Sequence, residues 1–347
     1  MVLYVQENQE GFQPVLINQL TTSTESAQGS DGGSGSAGVL RVLSLDSEAL
    51  VERFLREADI APSTKASYRR ALRCFFRWYD ERGGGDLAAV DILAYKQYQL
   101  GRVQAGTAGT YLTAVKSLFK WLAATKTYPD VAAGVKGVKM PKGHRKDALT
   151  PAQARRVLRS LKGDTLRAKR DYALFNLLLR GGLRTIEVER ALVGDIRNKG
   201  EATVLHVQGK GRVAKDEFVV LAERTVEPIY DYLAARRASG TEAVTLESPL
   251  FVSLSNKTYG QRLATRSIRE IVKRALRDAG LDSDRLTSHS LRHTAVTAAL
   301  LGGASIQQTQ AMARHGSVST TMIYAHNVER IGSNAAERAA DDYLGDA

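Results

Sequence analysis

The chain has 347 residues, which is enough for two domains, and its hydrophobic content of 43% is enough to form packed cores. Its net charge is +12, although residues 1–40 contain acidic residues and no Lys or Arg, so the remainder is the basic part. A basic globular body favours a polyanionic partner, but basic charge can also serve solubility alone. The single cysteine excludes an internal disulfide framework and suits a reducing compartment. Since no apolar run reaches membrane length, the sequence predicts a cytoplasmic protein without a membrane partner.

Residues 1–40 are predicted to form a flexible N-terminal arm and linker. The segment 21–38 is rich in Ser, Thr and Gly and has too few apolar residues to pack. Residues 1–20 contain more apolar side chains and can form a short strand or an arm that binds a partner, but they are too few for a domain.

A helical domain is predicted for residues 41–134, where apolar side chains recur at helical spacing in four segments. Asp46 or Ser47 can cap the first helix and Ser63 the second. The aromatic residues of the second helix, such as Phe75, are expected in the core. The same helix carries basic side chains that can face either phosphates or solvent: Lys65, Arg69 and Arg70.

A basic interdomain linker is predicted for residues 135–147, which are short and broken by Gly and Pro. Lysines in such a segment are suited to follow a phosphate backbone. The lysines selected for this role are Lys139, Lys142 and Lys146.

Residues 148–347 are predicted to form a second domain that mixes helices with strands. Thr150 and Pro151 suit the N-cap and first position of a helix. The runs 203–207 and 217–221 are rich in β-branched residues and flank a Gly-Lys-Gly sequence, which predicts a hairpin. Further helices are predicted at 265–279, 289–301 and, as a C-terminal tail helix, 334–344. The fold class is therefore mainly α with a small antiparallel β-sheet, in two domains.

Arg184 follows Gly181-Gly182-Leu183 at the end of an apolar helical stretch. A guanidinium that leaves a glycine turn beside a buried helix can be held rigidly enough to bind a phosphate. Glu187, one turn later, can orient that guanidinium. The alternative is an ordinary surface pair at i,i+3, which the two residues alone favour.

His289, Arg292 and His293 lie on adjacent turns of a helix that Thr287 or Ser288 can cap. Two imidazoles and a guanidinium on one helix can bind an anion and move protons. The alternatives are a metal site or a core histidine. A metal is disfavoured because Arg292 would place a cation beside it, and we expect neither a metal nor another cofactor.

Lys210 lies at the predicted hairpin tip, where a mobile ammonium can reach a neighbouring site as a general acid. A Gly-Lys-Gly sequence is more often only a turn. Arg212 and Lys215 are rival cations nearby.

Tyr324 follows His315 by nine residues, in a helix that Ser319 can cap. A phenol has a pKa near 10, so nucleophilic attack at neutral pH needs cations or a base beside it. One phenol, two guanidiniums and two imidazoles can together attack a phosphodiester without a metal. A single tyrosine, however, usually only packs its ring.

Three motifs and one lysine make the chain resemble the tyrosine recombinases of the phage-integrase and Xer type over roughly residues 41–345. The motifs are Gly-Leu-Arg-x-x-Glu at 182–187, His-x-Leu-Arg-His at 289–293 and His315 nine residues before Tyr324, with Lys210 in a hairpin turn between the first two. Arg314 departs from the pattern, since relatives usually have Gly before this histidine.

The resemblance implies a role for each residue. Arg184 and Arg292 would bind the scissile phosphate, and Tyr324 would be the nucleophile. Lys210 would protonate the leaving 5′-hydroxyl, while His289 and His315 would assist proton transfer and Glu187 would support them. The fold it implies is a C-shaped clamp around DNA, formed by a helical core-binding domain and a mixed catalytic domain.

The resemblance also implies the partners. They are double-stranded DNA with paired inverted half-sites, a homotetramer in the synapse and, in some members, accessory DNA-bending proteins, all at the nucleoid. The sequence does not distinguish integration, excision, resolution and inversion as the biological task. A type IB topoisomerase, a telomere resolvase and a non-catalytic DNA-binding protein are the alternative functions.

Overall fold

The computed structural model describes residues 47–140, 147–209, 211–240 and 243–332, together with the backbone of 2–8 and 11–17; from 327 onward it describes only backbone. The chain divides into two compact units, Met1–Lys142 and Gly143–Ala347. In the described residues, no helix is long and apolar enough to cross a membrane. The segment 18–40, Lys142, Lys146, Lys210 and the predicted tail helix at 334–344 lie outside the described residues.

Among its described residues, the first unit contains a hairpin and four helices. Strands β1 and β2 pair antiparallel, with Val2 opposite Ile17 and Asn8 opposite Gly11. Their bounds, followed by those of the helices, are β1 Val2–Asn8, β2 Gly11–Ile17, α1 Ser47–Glu57, α2 Pro62–Glu81, α3 Ala89–Arg102 and α4 Ala105–Ala124. The four predicted helices are thus present.

The core of the first unit is aromatic, and Phe75 is fully buried at its centre. Its ring meets those of Tyr95 and Phe119 edge-on, with centroids 5.0 and 6.1 Å apart. Edge-to-face pairs of this kind stabilise a core beyond the area that they bury. The predicted cap at Ser63 is wrong: α2 begins at Pro62, because proline needs no N–H partner at the first helical position.

The second unit contains eight helices among its described residues. In chain order they are α5 Pro151–Ser160, α6 Leu166–Gly181, α7 Thr185–Arg190, α8 Glu223–Ala238, α9 Thr265–Asp278, α10 Ser288–Leu301, α11 Ile306–Ala313 and α12 Val318–Gly332. The predicted cap of α5 is confirmed, since the Thr150 side chain accepts the Gln153 N–H at 3.2 Å.

A three-stranded antiparallel sheet in the order β3-β4-β5 lies between α7 and α8 along the chain. Its strands are β3 Ile196–Lys199, β4 Ala202–Val207 and β5 Glu217–Leu221. Val207 pairs with Glu217, so β4 and β5 form the predicted hairpin. The fold is therefore mainly α with a small antiparallel sheet, as the sequence predicts.

Helix α6 forms the centre of the second unit. Its residues from Ala173 to Leu179 are all buried, and α8 and α10 pack against it. This arrangement fixes the end of α6 relative to α10, so residues just after α6 and on the first turns of α10 are brought to one place. The candidate site lies there.

Candidate active site

Gly182 ends α6 and directs Arg184 toward α10. It is left-handed, with φ +58°, and a Cβ at this position would lie 3.3 Å from the Cβ of Ala295 on α10. A side chain is disfavoured both by the backbone conformation and by this contact. Arg184 follows two residues later as the N-cap of α7, with its side chain 31% exposed.

Glu187 is fully buried and binds Arg184 twice. Its carboxylate accepts the Arg184 backbone N–H at 2.8 Å and an Arg184 guanidinium N–H at 2.8 Å. Arg314 donates a further N–H to it at 2.8 Å. Burial alone would raise the pKa of Glu187, but the charge and hydrogen bonds of Arg314 and Arg184 outweigh burial and hold that pKa below its usual range. Arg184 and Glu187 thus belong to a network around a buried carboxylate, and they do not form an ordinary surface ion pair.

Arg292 is buried on the first turns of α10 and donates to the ends of two other helices. Its guanidinium donates to the Gly182 carbonyl at 2.6 Å and to the Ala313 carbonyl. Burial, followed by repulsion from Arg184 and Arg314, lowers the pKa of Arg292 to about 10. Arg292 and Arg184 are therefore brought together around the turn at Gly182.

His315 lies after α11, with its ring half-buried beside the arginines. Its Nδ1 is 2.9 Å from the Thr321 hydroxyl on α12, and the Gln310 side chain donates to its backbone carbonyl at 3.1 Å. Burial and the charges of Arg292, Arg184 and Arg314, with a smaller effect of His289, lower the pKa of His315 to about 4. His315 is consequently neutral at physiological pH.

Tyr324 lies on α12 with only 5% of its surface exposed. Its ring stacks near that of His315 at a centroid distance of 6.0 Å and contacts His293 at 5.1 Å. Burial raises the pKa of Tyr324, while the charge of Arg292 acts in the opposite direction. The predicted cap at Ser319 is wrong, because α12 begins at Val318 and the Ser317 hydroxyl accepts the Ser319 N–H at 3.3 Å.

His289 and His293 differ in exposure. His293 is buried between α10 and α12, whereas His289 is exposed at the start of α10. Their rings meet edge-on at 4.8 Å. His293 thus has the packing position that the sequence left open, and His289 is the accessible imidazole of the pair.

Lys210 is outside the described residues, but both ends of its loop are anchored. Arg190 donates to the Gly209 carbonyl at 3.0 Å, and Lys215 forms an ion pair with the buried Asp195. The other rival cation, Arg212, forms ion pairs with Asp216 and, at 2.9 Å, with Glu217.

Comparison with known proteins agrees with this arrangement. Residues 147–330 match the model of the phage integrase family, and residues 49–127 match its N-terminal SAM-like domain. The chain belongs to the phage integrase family of tyrosine recombinases. It is 32% identical over 288 residues to tyrosine recombinase XerD of Xanthomonas axonopodis pv. citri, covering 80% of this chain and 91% of that one. It is 30% identical over 286 residues to XerD of Yersinia pestis, covering 80% and 92%.

Solved structures share the fold of this recombinase. One is XerH recombinase in a post-cleavage complex with a palindromic difH substrate, with a TM-score of 0.66, 18% identity and coverage of 85% of this chain and 84% of that one. Another is the Tn1549 transposon integrase with circular intermediate DNA, with a TM-score of 0.62, 17% identity and coverage of 80% and 94%. The comparisons do not favour the alternative functions, which are a type IB topoisomerase, a telomere resolvase and a non-catalytic DNA-binding protein.

The candidate DNA-contact residues of the recombinase have different environments. Arg69 binds Glu52 through two N–H groups, so its charge is largely balanced within the helical unit. Lys65 is half-buried, whereas Arg70 and Lys139 are exposed.

The structure brings together Arg184, Glu187, Arg292, His315 and Tyr324, as the sequence predicts, but sequence reasoning did not anticipate two features. The first is Arg314, whose buried guanidinium joins the network. The second is a basic face of α9, formed by residues spaced three or four apart, of which Lys273 is half-buried and forms an ion pair with Asp282. Its residues are Arg266, Arg269, Lys273 and Arg277.

An open groove of about 1110 Å³ borders the site, between β5 and α11. Arg184, Arg314, His315 and the loop residue Gly209 all line this groove. The site and the described part of the loop after β4 therefore border the same groove.

Proposed function

We propose that this tyrosine recombinase cleaves and rejoins DNA site-specifically through a 3′-phosphotyrosine on Tyr324. The observation that carries the proposal is the position of the Tyr324 ring, 6.0 Å from that of His315 and near enough to Arg292 for its charge to oppose the rise in the Tyr324 pKa that burial causes. A buried phenol next to a cation and a neutral imidazole is suited to attack phosphorus.

In the cleavage step, the Tyr324 oxygen forms a bond to phosphorus while the bond from phosphorus to the 5′ oxygen breaks. Arg184 and Arg292 bind the non-bridging oxygens, whose charge rises in the transition state. His315 and His289 assist proton movement away from the phenol, and Glu187 holds Arg184. The phosphotyrosine retains the energy of the phosphodiester, so a 5′-hydroxyl from another strand can reverse the step.

Lys210 is proposed as the acid that protonates the leaving 5′ oxygen. The rival cations are less suited, because Lys215 is paired with the buried Asp195 and Arg212 with two carboxylates. An ammonium or guanidinium that is held by carboxylates must first leave them in order to reach the leaving oxygen.

The wider function follows from the same assignment. We propose that the unit at 41–134 binds core DNA, aided by Lys65, Arg69 and Arg70, and that the linker at 135–147 follows the backbone through Lys139, Lys142 and Lys146. The active assembly is a tetramer on two sites with inverted half-sites, in the cytoplasm at the nucleoid.

A nicked suicide substrate tests the nucleophile. Tyr324→Phe is expected to bind its site with unchanged affinity and to give no covalent protein–DNA band, because a phenyl ring has no oxygen to attack with. The matched control is Tyr230→Phe on α8, whose ring is exposed, and this variant should cleave like the wild type. A covalent band from Tyr324→Phe would move the nucleophile to another tyrosine.

A further inference from the structure

Arg314 ends α11 in a backbone conformation that glycine adopts more readily. Its φ is +53°, and the N–H groups of Arg314 and His315 donate to the carbonyls of Ala311 and Gln310 at 3.1 and 3.2 Å. These two bonds form the Schellman pattern, in which the left-handed residue is usually Gly. An arginine there is conformationally unfavourable, so its side chain must contribute something that glycine cannot.

The Arg314 guanidinium is directed into the protein, where only 3% of its side chain is exposed. It donates to the Met312 carbonyl at 2.6 Å, to the Gly182 carbonyl at 3.3 Å and to Glu187 at 2.8 Å. Every one of these acceptors belongs to the turns that support Arg184, Arg292 or His315. A long cation therefore fills the interior side of the site.

Arg314 and Arg184 share Glu187 unequally. Arg314 donates to both oxygens of Glu187, to Oε2 at 2.8 Å and to Oε1 at 3.5 Å, whereas the Arg184 guanidinium donates only to Oε1, at 2.8 Å. Arg184 also donates to the Arg314 carbonyl at 3.2 Å. Since Arg314 meets much of the charge of Glu187, Arg184 keeps N–H groups and 31% of its side chain at the surface of the site.

We propose that Arg314 is a positioning residue for strand cleavage: it holds Glu187 from the interior and so keeps the Arg184 guanidinium available to the scissile phosphate. The inference rests on the proposed role of Arg184 in phosphate binding. Without Arg314, the buried carboxylate of Glu187 would have one cationic partner in this network, and Arg184 would turn inward to meet it. Arg314 itself does not contact DNA in this proposal.

The first test compares three substitutions in single-turnover cleavage of a nicked suicide substrate. Arg314→Met and Arg314→Gly are both expected to slow covalent-complex formation by roughly 10–100-fold, with site affinity changed by less than about threefold, because a misplaced catalytic group costs rate more than binding. Arg314→Gly relieves the left-handed backbone and removes the whole side chain, whereas Arg314→Met removes the guanidinium but keeps an apolar chain, so a defect that both share is due to the guanidinium. Arg314→Lys should recover part of the rate.

Wild-type cleavage by Arg314→Gly would overturn the inference, since the backbone turn alone would then suffice. This result leaves the proposed function intact, because wild-type protein would still form the covalent band and Tyr324→Phe would not. Failure of the proposed function has the opposite signature, a covalent band that persists in Tyr324→Phe.

The second test removes the anion that would draw Arg184 inward. The double variant Glu187→Gln with Arg314→Met is expected to cleave at least about tenfold faster than Arg314→Met alone, although it lacks two polar groups of the site. A merely structural role predicts the reverse, a double variant no faster than the single one. A scissile methylphosphonate is uncharged, so on it the defect of Arg314→Met should also shrink; an unchanged defect would place the action of Arg314 on His315 or Tyr324 instead.

Discussion

The neutral state of His315 gives a pH prediction that distinguishes this site from one with an ordinary imidazole. Burial and the neighbouring cations Arg292, Arg184 and Arg314, with His289 at the edge of the site, lower the pKa of His315 to about 4. Tyr324 also faces the ring from α12, and its raised pKa keeps it neutral. At pH 6, about 1% of His315 should therefore be charged, against about three-quarters of an unperturbed histidine.

The sign of the effect on stability follows from the direction of this shift. The folded protein binds a proton on His315 less readily than the unfolded chain does, so protonation favours unfolding. The contribution of neutral His315 to the free energy of unfolding is fully present above pH 6.5 and is lost as the pH falls toward 4. A shift of this size corresponds to about 3 kcal/mol, which solvent screening lowers because the ring is only half-buried.

NMR titration of the imidazole measures this pKa directly. The chain has six histidines, so the His315 resonance can be assigned by comparison with His315→Gln. We expect no titration of His315 between pH 7.5 and 5.5, and Arg314→Met should move its pKa upward because one of the three guanidiniums is removed. An imidazole of His315 that titrates near 6.5 in the wild-type protein would refute the electrostatic description of the site.

Two further predictions concern residues at the edges of the site. Lys210→Ala should slow cleavage by about 10²–10⁴-fold. Its cleavage rate should recover on a substrate with a 5′-bridging phosphorothiolate, because the leaving sulfur needs no proton. If only Lys215→Ala recovers on this substrate, Lys215 is the acid instead. Neutral replacements of the linker lysines should flatten the log-linear salt dependence of binding by up to about one unit each without altering site preference, and an unchanged slope would mean that the linker does not touch DNA. Those lysines are Lys139, Lys142 and Lys146.

The sequence predicted those parts of the site that depend on local chemistry. The glycine turn before Arg184 and the helical spacing of His289 and Arg292 are short-range patterns, and the structure brings Arg184 and Arg292 together as expected. Likewise, the β-branched runs of β4 and β5 and the capped start of α5 are visible without tertiary information.

The features that the sequence did not predict depend on contacts between distant residues or have weak local signals. Arg314 and Glu187 are separated by 127 residues, and nothing in the local sequence indicates that this arginine is buried. The strand β3 has the sequence Ile-Arg-Asn-Lys, which contains one β-branched residue and forms a strand only because β4 pairs with it. The predicted N-caps at Ser63 and Ser319 were wrong. Several residues near the start of a helix can act as its N-cap, and only the path of the backbone determines which of them does.

The charge balance of the site shows why backbone carbonyls hold its arginines. Arg184 and Arg314 share the carboxylate of Glu187, whereas Arg292 donates to backbone carbonyls, so the network carries excess positive charge. The remaining acceptors are carbonyls at the ends of α6 and α11, on Gly182, Met312, Ala313 and Arg314. The C-terminal end of a helix is the end that favours cations, and carbonyls bind a guanidinium without neutralising it. Carboxylates in their place would cancel the positive charge that the proposed phosphate binding requires. Burial first, and then repulsion from Arg184 and Arg314, lowers the pKa of Arg292 to about 10.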